Sequence, residues 1–125
     1  MTKLLEGFRR VILELAREPG RPLGDASERY TLIAPLGADD RIDTELWRAN
    51  RSACRVVREH EGETTVGQIV RTRDGSWRFE YEGDEAAEDE SVFRLADEQL
   101  RAGEYVSMVR DDGAHPYRIS AVTDY

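Results

Sequence analysis

A strict two-residue alternation in the second half of the chain constrains the fold more than any other feature. In residues 77–82 every second side chain is aromatic, and the side chains between them are charged. A period of two is that of a β-strand with one buried face. Because residues 66–72 form a second strand candidate and residues 73–76 are turn-forming, the sequence predicts a β-hairpin. Its inner face would comprise Trp77, Phe79 and Tyr81, and its outer face Arg78, Glu80 and Glu82.

A second hairpin is predicted near residue 125. Residues 105–110 and 117–123 are strand candidates on either side of the turn-rich segment 111–116. Between the two hairpins, residues 80–90 hold seven acidic side chains and no basic one, which predicts a mobile acidic surface loop over 83–90. Residues 91–102 fit either a helix or a short strand followed by a turn.

Residues 3–18 predict an amphipathic helix. The apolar positions follow an i, i+1, i+4, i+7, i+8, i+11, i+12 pattern, which places them on one helical face. Thr2 is a suitable N-cap, and Pro19 with Gly20 would end the helix. The apolar positions are Leu4, Leu5, Phe8, Val11, Ile12, Leu15 and Ala16.

The remaining segments favour short β-structure. Residues 19–27 are predicted to be a loop and residues 30–35 a short strand. Residues 41–58 are ambiguous, and we favour a short helix over 41–51 followed by a strand from about 54. The predicted fold class is therefore α+β, with an N-terminal amphipathic helix packed on a mostly antiparallel, curled sheet or small β-barrel of about five or six strands. The chain length of 125 residues predicts a single domain, residues 1–125, with a β-rich body over 28–125.

The charge composition limits the classes of partner. The chain has 18 basic and 26 acidic residues, a net charge of −8, and the excess of acid lies in residues 61–125. Such a field repels phosphate backbones at long range and argues against nucleic acid as a partner. No apolar stretch approaches the roughly 20 residues that cross a bilayer, and the N-terminal residues do not resemble a signal peptide. We therefore expect a cytoplasmic protein with no membrane partner.

Few residues are candidates for chemistry. Cys54 is a lone cysteine, so an intrachain disulfide is excluded, and its apolar neighbours are typical of a buried residue. His60 and His115 are the two histidines and the natural candidates for a general base. His115 precedes Pro116 in a predicted turn, where we expect it to be solvent-exposed. No zinc-like spacing and no glycine-rich phosphate loop is present, so neither a metal nor a cofactor is predicted.

Arginines and one aromatic residue form the candidate binding surface. On a helix, spacings of three and four place four arginines of residues 48–58 on one side. The aromatic hairpin combines three arginines of residues 71–78 with three aromatic rings of residues 77–81, a mixture found on some small barrels that bind single-stranded nucleic acid. The candidate residues are Arg48, Arg51, Arg55, Arg58, Arg71, Arg73, Trp77 and Arg78.

Three hypotheses of function follow. The first is a non-catalytic binding or interaction module whose partner is unknown, either another protein or a second copy of the chain. The alternative is single-stranded nucleic-acid binding through the arginine and aromatic surface. A second alternative is a small enzyme that uses His115, His60 or Cys54. A concave pocket at one of those three residues would support the enzyme, and their dispersal over the surface would contradict it.

Overall fold

In the computed structural model the chain is almost entirely β-sheet. The structure describes residues 7–73, 77–81, 90–93, 99–110 and 113–125. A short helix, α1 (Thr44–Ala49), is followed by a 3-10 turn at Arg51–Ala53. Within the described residues eight strands follow in chain order: β1 Phe8–Leu15, β2 Asp25–Pro35, β3 Arg55–His60, β4 Glu63–Arg71, β5 Trp77–Tyr81, β6 Glu90–Phe93, β7 Tyr105–Arg110 and β8 Gly113–Asp124.

The strands form a closed antiparallel barrel. Each strand pairs with the next one in the chain, and β8 pairs with β1 to complete the ring. Alternate side chains therefore point inward, and they fill the interior with rings and aliphatic groups. The ring of Tyr30 lies 5.8 Å from that of Phe79 and 5.0 Å from that of Tyr117, measured between centroids. All three are buried, so the barrel has a packed core.

The predicted N-terminal helix is wrong. Residues 8–15 are strand β1, and residues 1–6 lie outside the described part of the chain. Val11, Leu13 and Leu15 point into the barrel, while Arg10 and Glu14 point away. A period of two thus coexists with the helical period in this segment. Pairing with both β2 and β8 decides between them, because it supplies two ladders of backbone hydrogen bonds that a sequence window cannot show.

Because residues 8–15 form a strand and not a helix, the predicted α+β fold class is wrong as well. The chain is not α+β, since sheet makes up nearly all of the described structure, and the strands exceed the predicted five or six. β2 begins at Asp25 and β8 at Gly113, so both extend into segments predicted to be loop or turn. Residues 90–93 form β6. The predicted acidic loop over 83–90 lies outside the described residues except for Glu90.

One end of the barrel is covered and is called here the plugged end. The connection between β2 and β3, residues 36–54, crosses it and carries α1, whose N-cap Asp43 accepts a hydrogen bond from the Leu46 N–H at 3.1 Å. Trp47 of α1 packs edge-on against Trp77, with ring centroids 5.2 Å apart. Its indole N–H also donates to the carbonyl of Ile69 at 2.8 Å. This plug buries apolar surface at its own end of the barrel. It does not cover the opposite end, where β3 meets β4.

We call that opposite end the open end. The connections from β1 to β2 and from β3 to β4 lie there, together with the end of β7 and the start of β8, because strand direction alternates around the ring. The β1–β2 connection, residues 16–24, is tied to β8 by the Ala16 N–H, which donates to the Pro116 carbonyl at 2.9 Å. No helix in the described part of the chain is long and apolar enough to cross a membrane.

Candidate functional site

A buried carboxylate lies at the open end. Glu28 belongs to the inward series of β2 that also contains Tyr30 and Leu32, and it is only 5% exposed. Arg29 pairs with Glu59 across the β2–β3 ladder, so the next position places Glu28 beside His60 at the end of β3. An ionised side chain is rarely buried unless it is hydrogen-bonded, so its partners identify what the site is built around.

Both oxygens of Glu28 have partners. Oε2 contacts Nδ1 of His60 in a short hydrogen bond, and Oε1 accepts from the Glu61 backbone N–H at 3.1 Å. The tight β3–β4 turn presents that N–H, since Glu61 and Gly62 have φ angles of 51° and 81°. When Glu28 is ionised its carboxylate only accepts hydrogen bonds, so Nδ1 of His60 then carries the proton. Nε2 is then the ring nitrogen that does not contact Glu28.

The second histidine is built in the same way. Nδ1 of His115 contacts Glu18 at 2.9 Å from Oε1 and 3.3 Å from Oε2, and both side chains are 16% exposed. Glu18 is held by a tight turn in which its backbone exchanges hydrogen bonds of 3.2 and 2.8 Å with Arg21. The predicted exposed position of His115 in a turn is therefore wrong. Because β8 begins at Gly113, His115 lies on a strand, on the inward side with Tyr117.

The two histidine–glutamate pairs line one depression. Its volume is about 310 Å³, and the side chains that define it chemically are Glu18, Arg21, Glu28, His60, Glu61 and His115. Nε2 of His60 lies 3.7 Å from a carboxylate oxygen of Glu61. Arg21 is already bonded to Asp25 at 2.7 Å. The depression therefore combines two oriented imidazoles with an excess of carboxylate. We call it the histidine pocket.

Cys54 is not part of this pocket. It precedes β3 at the plugged end, is fully buried, and its thiol contacts the Asn50 carbonyl at 3.4 Å. Burial raises the pKa of the Cys54 thiol to about 11, so the reactive thiolate is scarce near neutral pH. The three residues of the enzyme hypothesis thus separate, with the two histidines together and the cysteine at the other end of β3.

The predicted binding surface does not form one patch. Arg48, Arg51 and Arg55 lie at the plugged end, whereas Arg58 is half-buried farther along β3. Trp77 is a core residue, 1% exposed.

Two further arginines of that surface are engaged locally. Arg78 forms an ion pair with Glu80, so its charge is compensated on the same strand. Arg71 donates to the Thr44 hydroxyl at 3.1 Å and lies over the Trp77 ring, while Arg73 is exposed.

Sequence reasoning named the histidines but missed their glutamate partners. A signal for Glu28 was present, because it continues the alternation of Tyr30, Leu32 and Ala34 toward the start of β2. Glu18 gave no such signal, since its neighbourhood depends on the pairing of β1 with β8. Among the described residues, no group of three or more histidine, cysteine, aspartate or glutamate side chains is arranged to hold a metal ion.

No protein-family model, no curated protein and no solved structure matches the chain. The residues themselves therefore carry the functional argument.

Proposed function

We propose that the protein is a non-catalytic binding module that takes a small organic cation in the histidine pocket. The observation that carries this proposal is the convergence of two histidines, each fixed by a glutamate through Nδ1, on one depression of about 310 Å³. Both rings are held in orientation before a ligand arrives, which lowers the entropic cost of binding. The volume is at the small end of ligand pockets.

The charge of the pocket supports a cationic ligand. Glu18, Glu28 and Glu61 line it, while the guanidinium of Arg21 is directed to Asp25. A concave site with an excess of one charge concentrates ligands of the opposite charge. When its ring is neutral, His60 adds an acceptor at Nε2 for the N–H groups of an ammonium or amidinium ligand.

The barrel interior supports a small ligand rather than a long one. Tyr30 and Tyr117, which share the inward faces of β2 and β8 with Glu28 and His115, are almost completely buried and contact each other. Their rings close the interior, so a ligand would stay at the open end. This differs from larger barrels, which enclose a cavity for an extended ligand.

A series of probes on one four-carbon skeleton tests this proposal. Ring ¹⁵N signals of the two histidines would be followed by NMR during titration with 1,4-diaminobutane, 1,4-butanediol and succinate. We expect the diamine to move the signals of both histidines most strongly, and succinate to have the least effect. An equal response to succinate, or silent histidines with the diamine, would contradict the proposal.

Matched variants assign the response to the pocket. Glu28→Gln and Glu18→Gln should each weaken diamine binding about tenfold, because each removes a charge that also orients a histidine. Glu104→Gln removes the same charge from an exposed residue just before β7 and should leave the affinity unchanged. Equal weakening in all three variants would mean that only net charge matters, which would contradict a defined pocket.

Acid–base catalysis is the second candidate function. A histidine whose Nδ1 is held by a carboxylate is the arrangement that orients a general base in many enzymes, and this pocket has two of them. One neutral ring would accept a proton from a substrate while the other, as imidazolium, would return one. If the wild-type protein turns over a substrate, and this activity is lost in His60→Gln and also in His115→Gln, acid–base catalysis would be favoured over simple binding.

A further inference from the structure

Two arginines converge on one tyrosine near the plugged end. Nη2 of Arg55 donates to the hydroxyl of Tyr125 at 2.9 Å, and Cζ of Arg10 lies 5.7 Å from the centroid of the same ring. Arg10 is on β1 and Arg55 on β3, and both are in register with Ile33 of β2 between them. The three side chains therefore span adjacent strands of the barrel wall. We call Arg10, Arg55 and Tyr125 the arginine–tyrosine cluster.

The cluster has a defined base. Ile33 is 6% exposed although it lies in the barrel wall between two exposed arginines. Tyr125 follows β8, on the far side of β1, and its backbone N–H donates to the Phe8 carbonyl at 3.3 Å. Its side chain must cross β1 to reach Arg55. The long stems of the arginines and the tyrosine ring thus cover the apolar surface and fix the positions of the guanidinium groups.

In the described part of the chain, the arginines of the cluster lack the acidic partner that Arg9 and Arg29 have. Arg9 contacts Asp124 at 2.6 Å, and Arg29 contacts Glu59 at the same distance. Among the described residues, no carboxylate lies within 4.0 Å of the guanidinium of Arg10 or Arg55. Two positive groups thus meet at a neutral ring in a chain of net charge −8. Their mutual repulsion would be relieved by an anion bound between them.

We infer that the arginine–tyrosine cluster binds a phosphate group. Each guanidinium offers N–H donors in a planar fork that matches phosphate oxygens. The Tyr125 oxygen accepts from Arg55, which leaves its own O–H proton for a third oxygen. The phosphate is that of a small phosphate ester or of a single nucleic-acid strand, and the chemistry at the cluster is the same for both.

The neighbouring segment provides a way to separate these two sources. Arg51 stands over the Trp47 ring at 4.9 Å, and Arg48 is exposed one turn earlier, so a chain of phosphates would find further guanidiniums beyond the cluster. Trp47 is buried, so it offers no free face for a base to stack on. A strand would therefore bind through its backbone alone, with steep salt dependence.

Calorimetric titration with phenyl phosphate and with a ten-nucleotide thymidine strand, at about 20 mM salt, tests the inference. We expect Arg10→Gln and Arg55→Gln each to weaken binding of phenyl phosphate about tenfold. Tyr125→Phe retains the ring and should weaken binding about threefold. Thermal unfolding of each variant would show that the fold persists.

Arg118→Gln is the matched control, because it removes one exposed arginine from β8 toward the open end. Equal weakening in Arg118→Gln and Arg10→Gln would overturn the site, as would the absence of binding by both probes. Binding of phenyl phosphate that is unaffected by Arg48→Gln and Arg51→Gln would identify a small ester as the source. Tighter binding of the strand, lost in those two variants as well as in Arg10→Gln, would identify nucleic acid.

Discussion

The two ends of the barrel use charged residues in opposite ways. At the open end, Glu28 and His115 point inward. Glu28 is hydrogen-bonded to His60, and His115 is hydrogen-bonded to Glu18. At the plugged end, the interior is closed by Trp47 and other apolar side chains, and arginines lie over rings or donate to hydroxyls. Among the described residues, the buried carboxylate therefore lies at the end that lacks an apolar plug, whereas at the plugged end Arg71 covers the Trp77 ring.

This difference separates stability from binding. Removing part of the plug should unfold the barrel, because a buried aromatic residue contributes several kilocalories per mole. Changing the histidine pocket should alter ligand binding with a smaller effect on stability, since its charged side chains other than Glu28 are partly exposed to solvent. The four predictions below test this division in order of decreasing effect.

The largest effect is expected at the plug. Trp47→Ala should lower the free energy of unfolding by about 3–5 kcal/mol, because it opens a cavity over Trp77 and leaves the Ile69 carbonyl without its donor. Trp47→Phe should recover part of the packing but not the hydrogen bond. Urea denaturation would measure both. A loss below about 1 kcal/mol in Trp47→Ala would show that α1 does not close the barrel.

The next effect is a pH dependence from Cys54. Its pKa is raised by burial from 9.0 to about 11, so above pH 9 the unfolded chain loses the thiol proton while the folded chain keeps it. The folded state then binds more protons, and stability should fall by up to about 1.4 kcal/mol per pH unit between pH 9 and 11. Unfolding of the wild type and Cys54→Ala across this range would isolate the term. Identical slopes would contradict it.

A smaller effect is expected when the open-end carboxylate is neutralised. Glu28→Gln keeps the shape but replaces an acceptor of His60 with an amide, and should cost about 1–2 kcal/mol of stability. Glu61→Gln changes an exposed side chain beside it and should stay within about 0.5 kcal/mol of the wild type. If the two variants lose equal stability, the burial of Glu28 has no energetic consequence, and the contrast between the ends weakens.

The smallest effect concerns the first residues of β2. The Ser27 hydroxyl and then its backbone N–H hold the pKa of Asp25 below 3.8, against desolvation, with a lesser contribution from Arg21. Ser27→Ala should therefore raise the pKa of Asp25, and Arg21→Gln should raise it less. Carboxyl ¹³C shifts followed through an acid titration would rank the two variants. The reverse order would show that charge, and not hydrogen bonding, controls this carboxylate.

Local sequence patterns could predict the hairpins but not the ring. The alternation at Trp77, Phe79 and Tyr81 correctly identified a strand with an aromatic inner face, because that pattern has a single structural reading. Residues 41–51 were also correctly predicted to contain a short helix. The segment at Val11 satisfied two periods, and its true partner β8 lies more than 100 residues away, beyond the reach of any local pattern.

The candidate site was predictable only in part, for the same reason. Two histidines in an acidic chain are obvious candidates for chemistry, and both line the pocket. Their glutamate partners are 32 and 97 positions away in the chain, so the β2–β3 ladder is needed to form one pair and the β1–β8 pairing to form the other. The predicted turn at Pro116 was wrong, because this residue lies within β8. Proline is rare inside strands, so in a sequence it indicates a loop.

Closure of the ring has a consequence for how the protein is made. Arg9 of β1 contacts Asp124 of β8, and the two residues are 115 positions apart. During synthesis β1 therefore cannot pair with β8 until the whole barrel segment has been made. At translation rates of about 5–20 residues per second, the synthesis of those 115 positions takes about 6–23 s. Throughout it, one edge of β1 has unpaired backbone groups that another nascent chain can engage. Completion of β8 pairs this edge of β1 and therefore ends a period of vulnerability to misassembly.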